Sequence, residues 1–241
     1  MQYYFIGGLG SNSYHLAPLI DELGFPVTFL DPYREMIQTE NDLRVWFQDQ
    51  ISQAEEICLL GHSLGGDLAR YLAAQFPQIH ALILLDGGYL DMEKILPLEE
   101  ELDGTLSFMQ QQVFSTLEEA VLAEFGDGTD PTPIARKAVE ASYRWNPASE
   151  QYELNLDLEK VLALLRLRRS IKADQISLSD KPVLFIGPRY QEEPEWRKAA
   201  LNQLDPKIKQ VLLEDLGHEL YTEAPQAIAI EVNNWLQNVH K

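Results

Sequence analysis

Residues 61–66 combine a serine with closely spaced glycines, a pattern that suits nucleophilic chemistry. The run is Gly61-His62-Ser63-Leu64-Gly65-Gly66, and it joins the apolar residues 57–60 to a stretch with helical periodicity. A strand that reverses abruptly into a helix strains its central residue and lifts that side chain above the sheet edge. The pattern therefore predicts that Ser63 is a nucleophile. The alternative is a glycine-rich turn that holds a spectator serine.

A serine hydroxyl is a weak nucleophile and needs a general base. His218 lies in Asp215-Leu216-Gly217-His218-Glu219, directly after the last predicted strand. Parallel strands end at one edge of a sheet, so His218 can meet Ser63 there, and we predict it as the base rather than as an exposed loop histidine. The other histidines lie in the serine run, in a predicted helix, at a strand start and beside the C-terminus: His62, His15, His80 and His240.

A second glycine-rich segment, Gly7-Gly8-Leu9-Gly10, follows the first predicted strand. Backbone N–H groups in such a loop can bind the negative charge that develops on a carbonyl oxygen during acyl transfer. We expect the N–H groups of Leu9 and Leu64 to form this oxyanion hole. A plain strand-to-helix turn is the alternative for the first loop.

Short apolar runs without polar alternation indicate buried strands, and helical patterns separate most of them. Strands are predicted at Tyr3–Ile6, Val27–Leu30, Ile57–Leu60, Ala81–Leu85, Val183–Ile186 and Lys209–Leu213. Helices are predicted at Tyr14–Leu23, Glu40–Gln53, Leu64–Gln75, Glu195–Gln203 and Ala224–Val239. This alternation predicts an α/β fold in which helices flank a mostly parallel sheet.

The alternation stops between Asp91 and about Ser179, where no convincing strand is found and apolar residues recur at helical spacing. We predict a core formed by residues 1–90 and 180–241, with residues 91–179 inserted as a helical cap. Some cap side chains are candidates for an acyl pocket or simply for the cap core: Phe108, Met109, Phe114, Tyr143 and Trp145. A basic cluster is a candidate anion site or a set of surface ion pairs: Arg166, Arg168, Arg169 and Lys172.

Composition excludes several classes of protein. The 38 acidic and 19 basic side chains give a formal charge of −19, which repels phosphate backbones and makes nucleic acid an unexpected partner. Cys58 is the single cysteine and is expected in the core. The N-terminus resembles neither a signal peptide nor a membrane anchor, so we expect a cytoplasmic protein without a membrane span. Neither metal-ligand spacing nor a phosphate-binding loop is present, and no cofactor is expected.

Taken together, these residues resemble the α/β-hydrolase fold family with a helical cap, and the resemblance covers nearly the whole chain. It implies that Ser63 is the nucleophile, His218 the base, and Leu9 and Leu64 the oxyanion donors. The sequence departs from the family in the first loop, where Gly7 replaces the usual histidine of a His-Gly pair, and in starting directly at the family's third strand. It also departs after Gly187, where Tyr190 stands at the family's usual acid position.

The third member of the expected triad is therefore open. Asp86 ends a strand that follows the serine run, and the glycines after it leave room for another side chain to approach. Some lipases that resemble this fold draw their acid from the end of this strand. We choose Asp86, and keep Glu192 and Glu193 as rivals because they lie in the loop where the family usually keeps its acid.

The resemblance implies a serine hydrolase that acts on an ester or thioester of a small to medium apolar acyl group, through an acyl-enzyme on Ser63. A member of the same fold that performs proton transfer or elimination would use the same residues, and the fold does not separate these reactions. A binding module that has lost catalysis is the third possibility. The missing Asp after Gly187 is its only support.

Overall fold

Nine strands occur in the described part of the computed structural model, which comprises residues 1–51, 54–178 and 180–239. They are β1 (Gln2–Ile6), β2 (Thr28–Leu30), β3 (Ile57–His62), β4 (Ile79–Leu85), β5 (Val113–Phe114), β6 (Tyr143–Asn146), β7 (Gln151–Leu154), β8 (Val183–Arg189) and β9 (Lys209–Glu214). Six of them form one sheet in the order β2-β1-β3-β4-β8-β9, and every neighbouring pair is parallel. The predicted parallel α/β fold is confirmed.

The sheet order places the two glycine-rich segments side by side. After β2 the chain crosses back over β1 and adds β3 on the other side. Ligands in open α/β sheets bind outside the carboxyl ends of the strands, where the strand order reverses in this way. The loop after β1 and the serine run after β3 both lie at that point.

Helices account for most of the remaining chain. They are α1 (Ser13–Leu23), α2 (Glu40–Gln50), α3 (Leu64–Gln75), α4 (Met92–Ile95), α5 (Leu98–Gln111), α6 (Leu117–Phe125), α7 (Pro133–Ala141), α8 (Leu158–Ile171), α9 (Glu195–Gln203), α10 (Leu220–Glu223) and α11 (Pro225–Val239). The last predicted helix, Ala224–Val239, corresponds to α11, which begins one residue later at Pro225, and the short helix α10 precedes it. Among the described residues, no helix is long and apolar enough to cross a membrane.

Both faces of the sheet are buried under helices, which explains why its strands are apolar without alternation. In β3, Ile57 and Leu59 pack with residues of α2 and α3, whereas Cys58 and Leu60 pack on the opposite face with residues of α1 and α11. Cys58 is fully buried, as expected.

The insertion differs from the strand-free cap that we predicted. It is mainly helical, but β5, β7 and β6 form a small antiparallel sheet within it. Tyr143 and Trp145 are alternate residues of β6, and Trp145 packs edge-on against Tyr152 of β7 with ring centroids 5.1 Å apart. Such aromatic cross-strand pairs stabilise hairpins. The prediction of a strand-free insertion was wrong because the two-residue alternation of Tyr143 and Trp145 was taken as part of a helical pattern.

Three predicted positions fall outside the described residues. They are the end of the second predicted helix at Gln53, the boundary of the insertion at Ser179, and His240.

Candidate active site

The serine turn, residues 61–66, holds Ser63 in a backbone conformation that non-glycine residues rarely adopt. Ser63 has φ 54° and ψ −126°, between the end of β3 and the start of α3. Its N–H donates to the Leu85 carbonyl oxygen at 3.2 Å. A Cβ on Gly65 would lie only 2.2 Å from the backbone oxygen of Ile6, so only glycine fits there. This close packing maintains the strain at Ser63, and strain of this kind is typical of functional turns.

Asp86 is the carboxylate that lies beside His218. The Nδ1 atom of His218 is 2.7 Å from Oδ2 of Asp86, at the carboxyl edge of the sheet. Asp86 itself has φ 44° and is almost completely buried. Of the rival acids, Glu193 pairs with Arg197 and Glu192 is exposed. The structure thus brings together the two residues, 132 positions apart, that we chose from the sequence.

The histidine loop, residues 215–219, is held by side chains from other elements. Glu223 of α10 accepts a hydrogen bond of 2.7 Å from the Gly217 N–H. The carbonyl oxygen of His218 lies 2.9 Å from Nε2 of His62, which must be the donor because a carbonyl can only accept. The His218 side chain remains about half exposed, at 47%.

Arg197 is the residue at this site that the sequence analysis missed. It is 1% exposed, and its Nη2 donates to Oδ1 of Asp86 at 3.2 Å and to the Pro188 carbonyl at 2.9 Å. Its Nε donates to the Tyr89 hydroxyl at 2.9 Å, and that hydroxyl donates to the same Asp86 oxygen at 3.0 Å. A buried arginine and a tyrosine therefore hold one carboxylate oxygen while His218 takes the other.

Two side chains complete the surroundings of Arg197. Glu193, one helical turn away in sequence, forms a short ion pair with it. The ring of Tyr190 lies over its guanidinium at 4.8 Å. The related family usually carries its acid at this position. Here Tyr190 occupies the position and covers Arg197, the arginine that orients Asp86. An acidic and a basic residue four positions apart in a sequence predict an ion pair, and Glu193 and Arg197 have this spacing.

The charges around His218 favour its protonated form. Burial acts to lower the pKa of His218, but the hydrogen bond and charge of Asp86 outweigh it and raise the pKa above its usual value. Burial acts to raise the pKa of Asp86, but His218 and Arg197 lower it overall. Burial, followed by the charge of His218, lowers the pKa of His62 to about 3, so His62 is neutral.

The expected oxyanion donors flank the serine turn. Leu64 is the first residue of α3, and Leu9 follows Gly8, where an added Cβ would lie 3.0 Å from Cβ of Ser63. Within the described ranges, neither the Leu9 nor the Leu64 N–H donates a hydrogen bond to another residue. Over the same ranges the Ser63 hydroxyl makes no hydrogen bond either. Such bonds in unliganded sites often form only when substrate is present.

The other candidates from the sequence have different environments. Arg168 and Arg169 both pair with Glu101, and Lys172 lies 3.3 Å from Glu93, whereas Arg166 is exposed. The basic cluster thus consists mainly of ion pairs. Among the candidates for the acyl pocket, Phe114 and Tyr143 pack together within the insertion, Met109 packs against the main core, and Phe108 and Trp145 are each 49% exposed.

A cavity of about 130 Å³ lies away from the serine turn, where α9 meets the beginning of the insertion. Its lining includes Arg70, Tyr89 and Trp196, but neither Ser63 nor His218. The cavity therefore does not hold Ser63 or His218, although Tyr89, which bonds Asp86, forms part of its lining.

Comparison with known proteins agrees with this geometry. A profile of the α/β hydrolase fold matches residues 31–186. No sequence among the curated proteins matches the chain. Similar solved structures include E-2-(acetamidomethylene)succinate hydrolase, with a TM-score of 0.71 and 18% identity over 98% of this chain and 91% of that one.

Two further structures have names that describe acyl hydrolysis. An esterase of M. tuberculosis has a TM-score of 0.67 and 20% identity, covering 98% of this chain and 85% of that one. The thioesterase domain of the curacin biosynthetic pathway has a TM-score of 0.68 and 17% identity, covering 96% and 90%. Identities this low indicate a shared fold. With the profile match across more than half of its residues, the chain belongs to the α/β-hydrolase fold family.

Proposed function

We propose that this protein is a serine hydrolase that cleaves an ester or thioester of a small to medium apolar acyl group through an acyl-enzyme on Ser63. The observation that carries the proposal is the 2.7 Å contact between His218 and Asp86, at the sheet edge where the strained turn presents Ser63. A histidine oriented by a buried carboxylate is the base that a serine nucleophile needs. Esterases and a thioesterase among the similar folds support the same reaction class.

In the acylation step, Oγ of Ser63 forms a bond to the substrate carbonyl carbon while its proton moves to Nε2 of His218. Nε2 takes this role because Nδ1 is bonded to Asp86. The tetrahedral intermediate then breaks its C–O or C–S bond, and the proton passes from His218 to the departing alcohol or thiol.

Deacylation repeats the sequence with water. His218 takes a proton from water as the water oxygen attacks the acyl carbon, and the carbon–Oγ bond of the acyl-enzyme breaks. The proton returns to Ser63 and the free acid leaves. In both steps the N–H groups of Leu9 and Leu64 would stabilise the oxyanion, a contribution of roughly 3–4 kcal/mol for one donor in other hydrolases.

Asp86 also weakens the case for an inactive binding module. That possibility depended on the lack of an Asp after Gly187, and Asp86, directly after β4, offers His218 a carboxylate instead. Arg197 and Tyr89 fix that carboxylate in one orientation, as expected for a site that must stay organised between turnovers.

The test is turnover of p-nitrophenyl esters of two to eight carbons by purified protein. We expect measurable hydrolysis that Ser63→Ala reduces by several orders of magnitude. The matched control is Ser11→Ala, which removes a serine hydroxyl from the neighbouring loop, where it bonds Tyr221. No turnover by the folded wild-type protein, or equal loss in both variants, would contradict the proposal.

A further inference from the structure

His62 carries a buried nitrogen that lacks a hydrogen-bond partner among the described residues. The side chain is fully buried, and its Nδ1 is the unpartnered atom. Because Nε2 donates to the His218 carbonyl, Nδ1 of the neutral ring carries the lone pair. An unpartnered buried acceptor of this kind is uncommon in native proteins, and its lone pair is free to bind a cation.

Two further side chains with ligand atoms surround this nitrogen. Oε2 of Glu219 lies 4.0 Å from Nδ1 of His62, although neither group can donate a hydrogen bond to the other in these charge states. The ring of His218 lies 4.8 Å from that of His62. Each of the three residues offers one ligand atom within 4.8 Å of the others. Two imidazoles and a carboxylate are a common ligand set of first-row transition metals.

We infer that His62, His218 and Glu219 form a binding site for a divalent transition metal such as zinc, and that the bound metal inhibits the enzyme. Zinc bonds of about 2.0–2.2 Å in a tetrahedral arrangement place ligand atoms roughly 3.4 Å apart. Oε2 of Glu219 is about 0.6 Å farther than this from Nδ1 of His62, and no pair of the three ligand atoms exceeds 4.8 Å. The Glu219 side chain is 52% exposed and free to move closer.

The charge of the surroundings favours a cation. The carboxylates of Glu223 and Glu124 add negative charge near Glu219, so a positive ion would relieve their repulsion. The two imidazoles select against Mg²⁺ and Ca²⁺, which prefer oxygen ligands. Sequence spacing could not reveal this site, because its histidines are 156 positions apart.

The inhibitory part of the inference rests on the proposed function. Nδ1 of His218 is bonded to Asp86, so the nitrogen left for a metal is Nε2, the atom that would accept the Ser63 proton. Metal and substrate would therefore compete for one lone pair. The binding part stands on the ligand geometry alone and is measured without substrate.

The experiment is calorimetric titration of the full-length protein with ZnCl2, in an excess of MgCl2 that occupies weak sites on the acidic surface. We expect one zinc site in the wild type and at least about tenfold weaker binding in Glu219→Gln. The matched control is Glu55→Gln, which removes the same charge just before β3, at the opposite edge of the sheet. A thermal melt of each variant checks its folding, and His62→Gln gives an independent test of the imidazole ligand.

Wild-type-like binding in both Glu219→Gln and His62→Gln, or no saturable zinc binding by the wild type, would overturn the site. The same samples are then assayed for ester hydrolysis. The inhibitory role is supported if zinc inhibits hydrolysis, a chelator reverses the inhibition, and Glu219→Gln weakens inhibition and binding in parallel. Zinc binding without inhibition of an active enzyme overturns that role. Zinc binding by a protein that hydrolyses no ester contradicts the proposed function but leaves the site supported.

Discussion

The serine turn and the histidine loop meet at one sheet edge but are held in place by different kinds of contact. The serine turn is almost entirely buried, and backbone atoms of β1 and of the segment after β4 press against Gly65 and Gly66. In the histidine loop every residue is partly or fully exposed, and hydrogen bonds from distant side chains hold it. Steric packing therefore positions Ser63, and a polar network positions His218.

Because of this difference, substitutions in the two regions should have different effects on stability and activity. Substitutions in the serine turn should damage folding, because backbone atoms cannot move aside. Substitutions in the polar network should leave the fold intact and change the rate or the pH profile. The following variants test that division.

Asp86→Asn has the largest expected effect. Loss of the carboxylate leaves His218 in the wrong tautomer and without a charge to stabilise its protonated form, so kcat should fall by about 10³–10⁴-fold. The measurement is steady-state hydrolysis of a p-nitrophenyl ester, with a melting curve to check folding. The double variant Glu192→Gln with Glu193→Gln serves as the comparison. A near wild-type rate in Asp86→Asn with at least a roughly hundredfold loss in the double variant would assign the acid to the Gly187 loop.

Gly65→Ala should cost the most stability. Its Cβ would lie 2.2 Å from the backbone oxygen of Ile6 and could be accommodated only if strand and helix moved apart. We expect a loss of about 3 kcal/mol or more in the free energy of unfolding, measured by urea denaturation. A variant with wild-type stability and wild-type activity would show that the serine turn is not sterically determined.

Arg197→Met should change the pH profile. His218 must be neutral to accept a proton, so kcat/KM falls as the pH drops through the pKa of His218. Arg197 acts to lower that pKa, so its loss should move the acidic limb to higher pH, while kcat falls roughly 10–100-fold because Asp86 loses its orientation.

The control for this variant is Arg189→Met, which removes an exposed arginine from the end of β8. Arg197→Lys should recover part of kcat, because the ammonium retains the charge without the fork of hydrogen bonds. An unchanged acidic limb in Arg197→Met would reduce Arg197 to a purely structural role.

Gly217→Ala should have the smallest effect, in contrast to Gly65→Ala. Its Cβ would lie 2.7 Å from Oε1 of Glu223, the far end of a flexible side chain that can shift. We expect a stability loss below about 1 kcal/mol by urea denaturation, with a modest fall in kcat as the loop loses the bond to Glu223. A stability loss equal to that of Gly65→Ala would remove the distinction between the two regions.

The same division explains what could be predicted from the sequence. The serine turn was readable because its glycines, its serine and the flanking strand and helix are contiguous. Asp86 could only be ranked against rivals, since its contact with His218 spans 132 positions. Arg197 was missed because its spacing from Glu193 indicates an ion pair but does not reveal burial against Asp86, which is 111 positions away. In the insertion, strands of two to four residues are too short for periodicity to separate them from helices.

The most direct test of the central claim is labelling with a fluorophosphonate probe, followed by intact-mass and peptide analysis. We predict one adduct per chain, on Ser63, that is absent in Ser63→Ala and much slower to form in Asp86→Asn, because the probe requires a serine activated by its histidine. Control protein with Ser11→Ala should label at the wild-type rate. An absence of any adduct on the folded protein, or an adduct on another residue, would contradict the assignment of Ser63 as the nucleophile.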